Sequence, residues 1–173
     1  NNSIQANIIW VINKLDGTTI CVATSNGISQ VNIKTKKITK LKITSNNSDI
    51  LKNNTRYFLK TKDGNLWICN TQDIVVYHPK KGFVKKYKFP VNRNLAKYSQ
   101  DRPTLFQDVK NTIWLGYEKG LAQFDPKLGS FVDYKFQGKK AIGSAIRSIC
   151  EDLSGNLWIG SYSGIYIFNA EHT

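Results

Sequence analysis

The chain has 173 residues, 40% of them hydrophobic and 12% aromatic, and 25 Lys and Arg against 12 Asp and Glu leave a formal charge of +13. That is enough chain to bury a sizeable core in one domain, and no stretch approaches the roughly 18 apolar residues of a membrane-crossing helix. No basic, then apolar, then small-residue leader opens the chain, so it is expected to be either a mature exported protein or a piece of something longer.

An internal repeat organises the chain. Copy one begins with a strand around Ile8, Ile9 and Val11. It continues through a degenerate turn, Asp16-Gly17-Thr18-Thr19, into Ile20-Cys21-Val22, and Lys40-Leu41-Lys42-Ile43 forms its outer strand. Loop 45–55 leads to Arg56 and to the clearest signature, Asp63-Gly64-Asn65-Leu66-Trp67-Ile68-Cys69. The turn His78-Pro79-Lys80-Lys81-Gly82 and the strand Lys85-Lys86-Tyr87-Lys88-Phe89 then complete copy two. Loop 91–103 enters copy three, where strands are expected over 104–107, 112–116, 121–124 and 131–136. Asp108-Val109-Lys110-Asn111, Tyr117-Glu118-Lys119-Gly120 and Asp125-Pro126-Lys127-Leu128-Gly129 are its turns. Pro presets φ and Gly accepts positive φ, which is why such residues punctuate strands. In copy four the signature returns as Asp152-Leu153-Ser154-Gly155-Asn156-Leu157-Trp158-Ile159-Gly160, Ile165-Tyr166-Ile167-Phe168 is the third strand, and no outer strand follows.

Trp67 and Trp114 are 47 residues apart, Trp114 and Trp158 are 44, and Cys21, which takes the tryptophan place in copy one, precedes Trp67 by 46. The apolar pattern within each copy has period two, which means strands, and no copy offers a ten-residue helical pattern. Four short antiparallel strands per unit of about 45 residues is the blade of a β-propeller. The expected fold is all-β, with four four-stranded blades at about 4–45, 50–90, 98–137 and 141–173, the last one incomplete. Such a piece leaves unpaired edges, so it is expected to belong to a larger propeller or to self-associate, two copies closing a ring of about eight blades.

The signature Asp-x-x-Gly-Asn-Leu-Trp-Ile-Gly, the Gly-Ile/Leu strand after it and the Asp/His-Pro-x-x-Gly turn resemble the two-component regulator propeller repeat, most closely over Arg147 to Gly160 and weakly in copy one. The resemblance implies the periplasmic sensor region of a hybrid histidine kinase of the Bacteroidetes type. Such a region detects oligosaccharides from polysaccharide breakdown and signals through a phosphorelay to transcription. It also implies contact with a membrane only through a parent protein, whose kinase, membrane span and immunoglobulin-like domain this chain lacks.

Candidate ligand-binding residues follow from position. Arg56 and Arg147 lie 11 residues before their tryptophans and Arg102 lies 12 before, at the start of the innermost strands. Arg93 and Tyr98 sit in the longer entry loop, and Tyr117 and Tyr162 in turns where a ring could stack on a sugar; loops commonly carry function. The competing reading makes the arginines structural. Of 21 lysines, 12 (Lys34, Lys36, Lys37, Lys40, Lys42, Lys80, Lys81, Lys85, Lys86, Lys88, Lys127 and Lys135) fall in or before the outer strands, where lysine protects an edge from aggregation. Attraction of an acidic glycan is the sharper alternative, and nothing accompanies the charge that would make it a nucleic-acid site. Trp67, Trp114 and Trp158 are expected in the core between blades.

The repeated aspartates are expected as turn formers and not as metal ligands, since no dense run of oxygen ligands surrounds them. Cys21, Cys69 and Cys150 lie in apolar runs and are expected to be buried thiols, a Cys21–Cys69 bridge being the alternative. The two histidines, His78 and His172, share one outer turn position, and no nucleophile elbow, phosphate loop or zinc motif is present. No cofactor and no catalysis are therefore expected; a protein-interaction scaffold and, after it, a glycan-active enzyme are the rival readings.

Overall fold

The computed structural model describes residues 3–4, 6–45, 48–49, 51, 55–70, 73–89, 102–135, 142, 144–169 and 171. Every regular element among them is a strand. Sheet one is β1 (Ile9–Lys14), β2 (Thr19–Thr24), β3 (Gly27–Asn32) and β4 (Ile38–Leu41), followed by a short pair, β5 (Thr44–Ser45) and β6 (Ser48–Asp49). Sheet two is β7 (Tyr57–Lys60), β8 (Leu66–Cys69), β9 (Asp73–His78) and β10 (Gly82–Lys88). Sheet three is β11 (Thr104–Gln107), β12 (Ile113–Tyr117), β13 (Gly120–Asp125) and β14 (Ser130–Asp133), and sheet four is β15 (Ile146–Glu151), β16 (Leu157–Ser161) and β17 (Gly164–Phe168). Each sheet runs in simple chain order, so each is one antiparallel blade and the fourth has three strands. Strand β14 ends at Asp133, short of the expected 136. One further ladder bond, from Tyr134 N to Leu121 O at 2.8 Å, follows it, and the Tyr134 ring lies 5.0 Å from that of Trp114.

The register puts the copies in correspondence. Lys14 pairs Ile20, Lys60 pairs Leu66, Gln107 pairs Ile113 and Glu151 pairs Leu157, so Leu15, Thr61, Asp108 and Asp152 occupy one place, six before Cys21, Trp67, Trp114 and Trp158. Where that residue is aspartate, one carboxylate ties the turn to the indole. Asp108 Oδ1 accepts from Thr112 N at 2.8 Å and Oδ2 from Trp114 Nε1 at 2.8 Å. Asp152 repeats this with Ser154 N, Asn156 N and Trp158 Nε1, each at 2.9 Å. In sheet two the aspartate stands two places later, where Asp63 takes the Thr61 hydroxyl and Asn65.

The chain forms two compact units, Asn1–Lys86 and Tyr87–Thr173. In the first, one face of sheet one (Val11, Cys21, Ala23, Ile28, Leu41) packs on Phe58, Leu66, Ile68 and Val75 of sheet two. In the second, Trp114 and Leu121 pack on Ile146, Leu157, Ile159 and Phe168 of sheet four. The same places meet in both units: Phe58 corresponds to Ile149, Leu66 to Leu157 and Ile68 to Ile159. Close approach of sheet four demands a small residue two places after Trp114. A Cβ on Gly116 would stand 2.5 Å from Ile146 Cγ2 and 2.7 Å from Thr104 Cγ2, and Ala23, Cys69 and Gly160 fill the equivalent place.

Two expectations need correction. Trp67 and Trp114 are buried, but Trp158 is 40% exposed, because among the described residues nothing lies over its face of sheet four. Cys150, its cross-strand partner, is exposed for the same reason. Cys21 and Cys69 are buried free thiols and form no bridge; burial, with the Asp16 charge adding to it, pushes the Cys21 thiol up to about 11.

Two outcomes follow. Asp108→Ala, which strands a buried indole N–H and an amide, is expected to lower stability by about 2–3 kcal/mol in urea unfolding, with a smaller loss for Asp152→Ala beside the half-exposed Trp158; equal losses would contradict the account. A thiol reagent is expected to modify Cys150 alone in the native chain and all three cysteines after denaturation.

Candidate functional site

A residue at the start of a first strand can escape the in-out alternation where the strand bulges, since a bulge re-aims a side chain. The register shifts between Ile9 and Val11 and again between Ile146 and Ser148, which frees Trp10 and Arg147. Counting from Cys69 and Gly116 places Arg56 and Pro103 at the same point of their strands. Trp10, Arg56, Pro103 and Arg147 are therefore one repeated position.

In the first unit two of these residues meet. The Arg56 guanidinium carbon lies 4.3 Å from the centroid of the Trp10 ring, and Arg56 is 9% exposed. In the second unit Arg147 lies 4.4 Å from the ring centroid of Tyr162, which is 73% exposed. A guanidinium over an aromatic face is held by the ring quadrupole, by about 0.5–1 kcal/mol at an exposed site, while its fork of N–H donors stays in the guanidinium plane. The Tyr162 ring is thus open to solvent, while Arg147 behind it is partly buried, with Nε and Nη1 shielded from water, and the Arg56 pair is enclosed. The Tyr162 ring also has hydroxyl neighbours. Ser161 Oγ accepts from Ser163 N at 3.1 Å and donates to Gly164 O at 3.0 Å, and Ser163 Oγ lies 2.9 Å from Tyr166 Oη. Tyr162 N donates to Ala145 O at 3.2 Å, which holds this turn against the entry to β15.

Of the residues proposed from sequence, the structure brings Arg147 and Tyr162 together. Arg102 is exposed and stands one residue before the repeated position, which Pro103 takes. Tyr117 needs correction: it lies within β12, not in the turn, and is 1% exposed with its hydroxyl donated to Asp133. It corresponds to Ser161, one place before Tyr162, and a single step along a strand moves a side chain to the opposite face. Arg93 and Tyr98 lie outside the described residues. Trp10, Ser161 and Ser163 were missed; only the bulge and the turn geometry single them out. A separate groove of about 430 Å³ lies on the outer hairpin β13–β14, lined by Phe124, Leu128, Val132 and Tyr134 among others.

All twelve outer lysines are exposed. Lys86 reaches Asp73 at 3.4 Å, and Lys40 donates to Asn26 Oδ1 at 3.4 Å. His78 is a turn former whose Nδ1 accepts from Lys80 N and Lys81 N at 3.1 and 3.3 Å; His172 is outside the described residues. Among the described residues no cluster of three His, Cys, Asp or Glu could hold a metal ion. The Asp152 carboxylate is filled by its own turn: the Trp158 indole first, then Asn156 and Ser154, hold it down at about 2.

By sequence the chain matches no protein-family model and no curated protein. By fold it is similar to the extracellular domain of BT4673 from B. thetaiotaomicron, assigned in one of two structures to a hybrid two-component system. The TM-scores are 0.71 and 0.70 at 21% identity, over 99% of this chain and 22% of that one. It is similar as well to the extracellular domain of BT3049 from the same organism, assigned likewise (TM-score 0.62, 17% identity, 98% of this chain and 28% of that one). Virginiamycin B lyase from Staphylococcus aureus is a third (0.63, 20%, 95% and 56%). The chain therefore spans 22% and 28% of the two extracellular domains it matches. At these identities the likeness establishes the fold, which is that of β-propeller blades.

The indole bond gives this region a pH signature. A carboxylate whose folded value is depressed contributes stability that is fully present above its unfolded value and is lost as pH falls through the folded one. The Asp152 contribution is thus expected to hold above pH 3.8 and to fade toward about pH 2. The Trp158 indole N–H resonance should titrate with that midpoint; a midpoint near 3.8 would show the bond absent.

Proposed function

We propose that this chain is a ligand-sensing segment of a periplasmic propeller in a hybrid two-component sensor histidine kinase. In this reading it responds to oligosaccharides released from polysaccharides, and the parent protein passes the signal to transcription. One observation supports the sensor reading above others: nearly the whole chain superposes on the extracellular domains assigned to two Bacteroides hybrid two-component systems. The ligand class is supported by the exposed Tyr162 ring, stacked on the partly buried Arg147, beside the Ser161 and Ser163 hydroxyls. An aromatic face packs on the C–H side of a sugar ring, and a guanidinium recognises hydroxyl or carboxylate oxygens through a fixed fork.

Binding without chemistry is the accompanying proposal. The charge of +13, spread over exposed outer lysines, favours an acidic sugar through long-range attraction that salt screens within about 8 Å at physiological strength. The rival scaffold reading predicts no small ligand at all. The likeness to a lyase gives the enzyme reading its footing.

Calorimetric titration with neutral and acidic oligosaccharides separates the three. Saturable binding without product, weakened at least about tenfold by Arg147→Ala and by Tyr162→Ala while Arg102→Ala leaves it unchanged, is the expected result. Silence across the panel would favour the scaffold, and turnover of any sugar the lyase-like reading.

A further inference from the structure

Charge is divided unevenly between the two units. Residues 1–86 carry 14 of the 25 Lys and Arg but 4 of the 12 Asp and Glu, so +10 of the +13 belongs to the first unit. Nine of the twelve outer lysines are there, five on the outer turn and strand of sheet one and four on those of sheet two, all exposed. The few carboxylates are occupied: Asp16 and Asp63 close their own turns, and Asp73 pairs with Lys86.

The turns that present these lysines are built alike. Asn32 Oδ1 accepts from Lys34 N and Thr35 N at 3.0 and 2.9 Å, and His78 Nδ1 accepts from Lys80 N and Lys81 N in the same two places. In sheet three the corresponding acceptor is the Asp125 carboxylate, which holds Lys127 N and Leu128 N. An amide oxygen and an accepting imidazole nitrogen are neutral. Only the first unit therefore fixes its lysine turns without setting an anion beside them.

Protection of sheet edges does not account for the difference. Strand β14 is an outer strand too, yet it holds no lysine, and its one carboxylate, Asp133, accepts from Tyr117. The two lysine-bearing edges are also neighbours: Leu41 of β4 lies in the core cluster of the first unit, and Phe83 of β10 packs against that cluster. Lysine is a compact point charge on a flexible stem, without the rigid fork of arginine, so this surface reads charge density. Packed sheets stand about 10 Å apart, farther than one sugar residue reaches, and a ligand that touches both edges is a chain. Single-stranded nucleic acids are gripped by aromatic rings beside the charge, and among the described residues of these two edges no aromatic residue is exposed.

We propose that the outer lysines of sheets one and two form a surface that holds a linear polyanion, a sulfated or uronic-acid polysaccharide, apart from the Arg147–Tyr162 site. The choice of polysaccharide rests on the sensor reading above; the surface itself does not.

Titration of fluorescently labelled dextran sulfate with the whole chain at low salt tests this. Lys34→Gln, Lys40→Gln, Lys80→Gln and Lys85→Gln combined should weaken binding at least about thirtyfold and flatten its salt dependence, because fewer counterions are released. Lys110→Gln, Lys119→Gln, Lys127→Gln and Lys135→Gln combined remove the same charge from the second unit and should cost less than about threefold. Neutral dextran should not bind. Arg147→Ala should leave polymer binding unchanged, so that a failure of the oligosaccharide site is seen separately. Equal losses in the two fourfold variants would show net charge acting without a surface and overturn the proposal. So would an absence of dextran sulfate binding, or tighter binding of single-stranded DNA or of anionic phospholipid vesicles at equal charge.

Discussion

The constraint on which the structure rests is the close approach of one sheet's first strand to the second strand of the sheet before it. Protein interiors are packed as densely as organic crystals, so two sheets meet well only where one yields room. Gly116 yields it to Ile146, and Ala23, Cys69 and Gly160 hold the same place in their strands. The apolar rows on either side then interlock, in one unit around Phe58 and Ile68 and in the other around Trp114 and Ile159. The hydrophobic effect drives this burial, and the small residue makes it geometrically available.

The signature turn serves that packing. A buried indole N–H is costly without a partner, and the aspartate six residues earlier provides one while also closing its own turn. Turn formation and tryptophan orientation become one event, decided within seven residues. Sheet one lacks both members of the device, with Leu15 and Cys21 in those places, and sheet two has Thr61 and Asp63 sharing the turn. This explains why copy one is hardest to recognise: its packing is intact but its local signature is gone.

Function, on the reading advanced above, uses what packing leaves over. Bulges at the entry to β1 and β15 release Trp10 and Arg147 from the alternation that commits every other side chain on those strands to one face. Twelve of the 21 lysines lie in or just before the outer strands, where they are exposed. Attraction and recognition are thereby assigned to different parts of each blade, with long-range charge outside and directional contacts at the strand entry.

The sequence by itself determined the strands of the four blades, the blade period and the turn chemistry, though not the short pair β5–β6, because these depend on alternation and on residues a few places apart. Its period of 44 to 47 is the record of one unit packed repeatedly in the same way. Only the tertiary structure decided which face of a strand a residue occupies near an irregularity: Tyr117 is core where a turn was expected, Tyr162 one place further along is exposed, and Arg147 meets it because a bulge shifts the register. Only it could decide that Trp158 and Cys150 are exposed while Trp114 and Cys69 are not. Burial depends on which sheet lies over a face, and that neighbour is distant in the chain and leaves no mark in the local pattern.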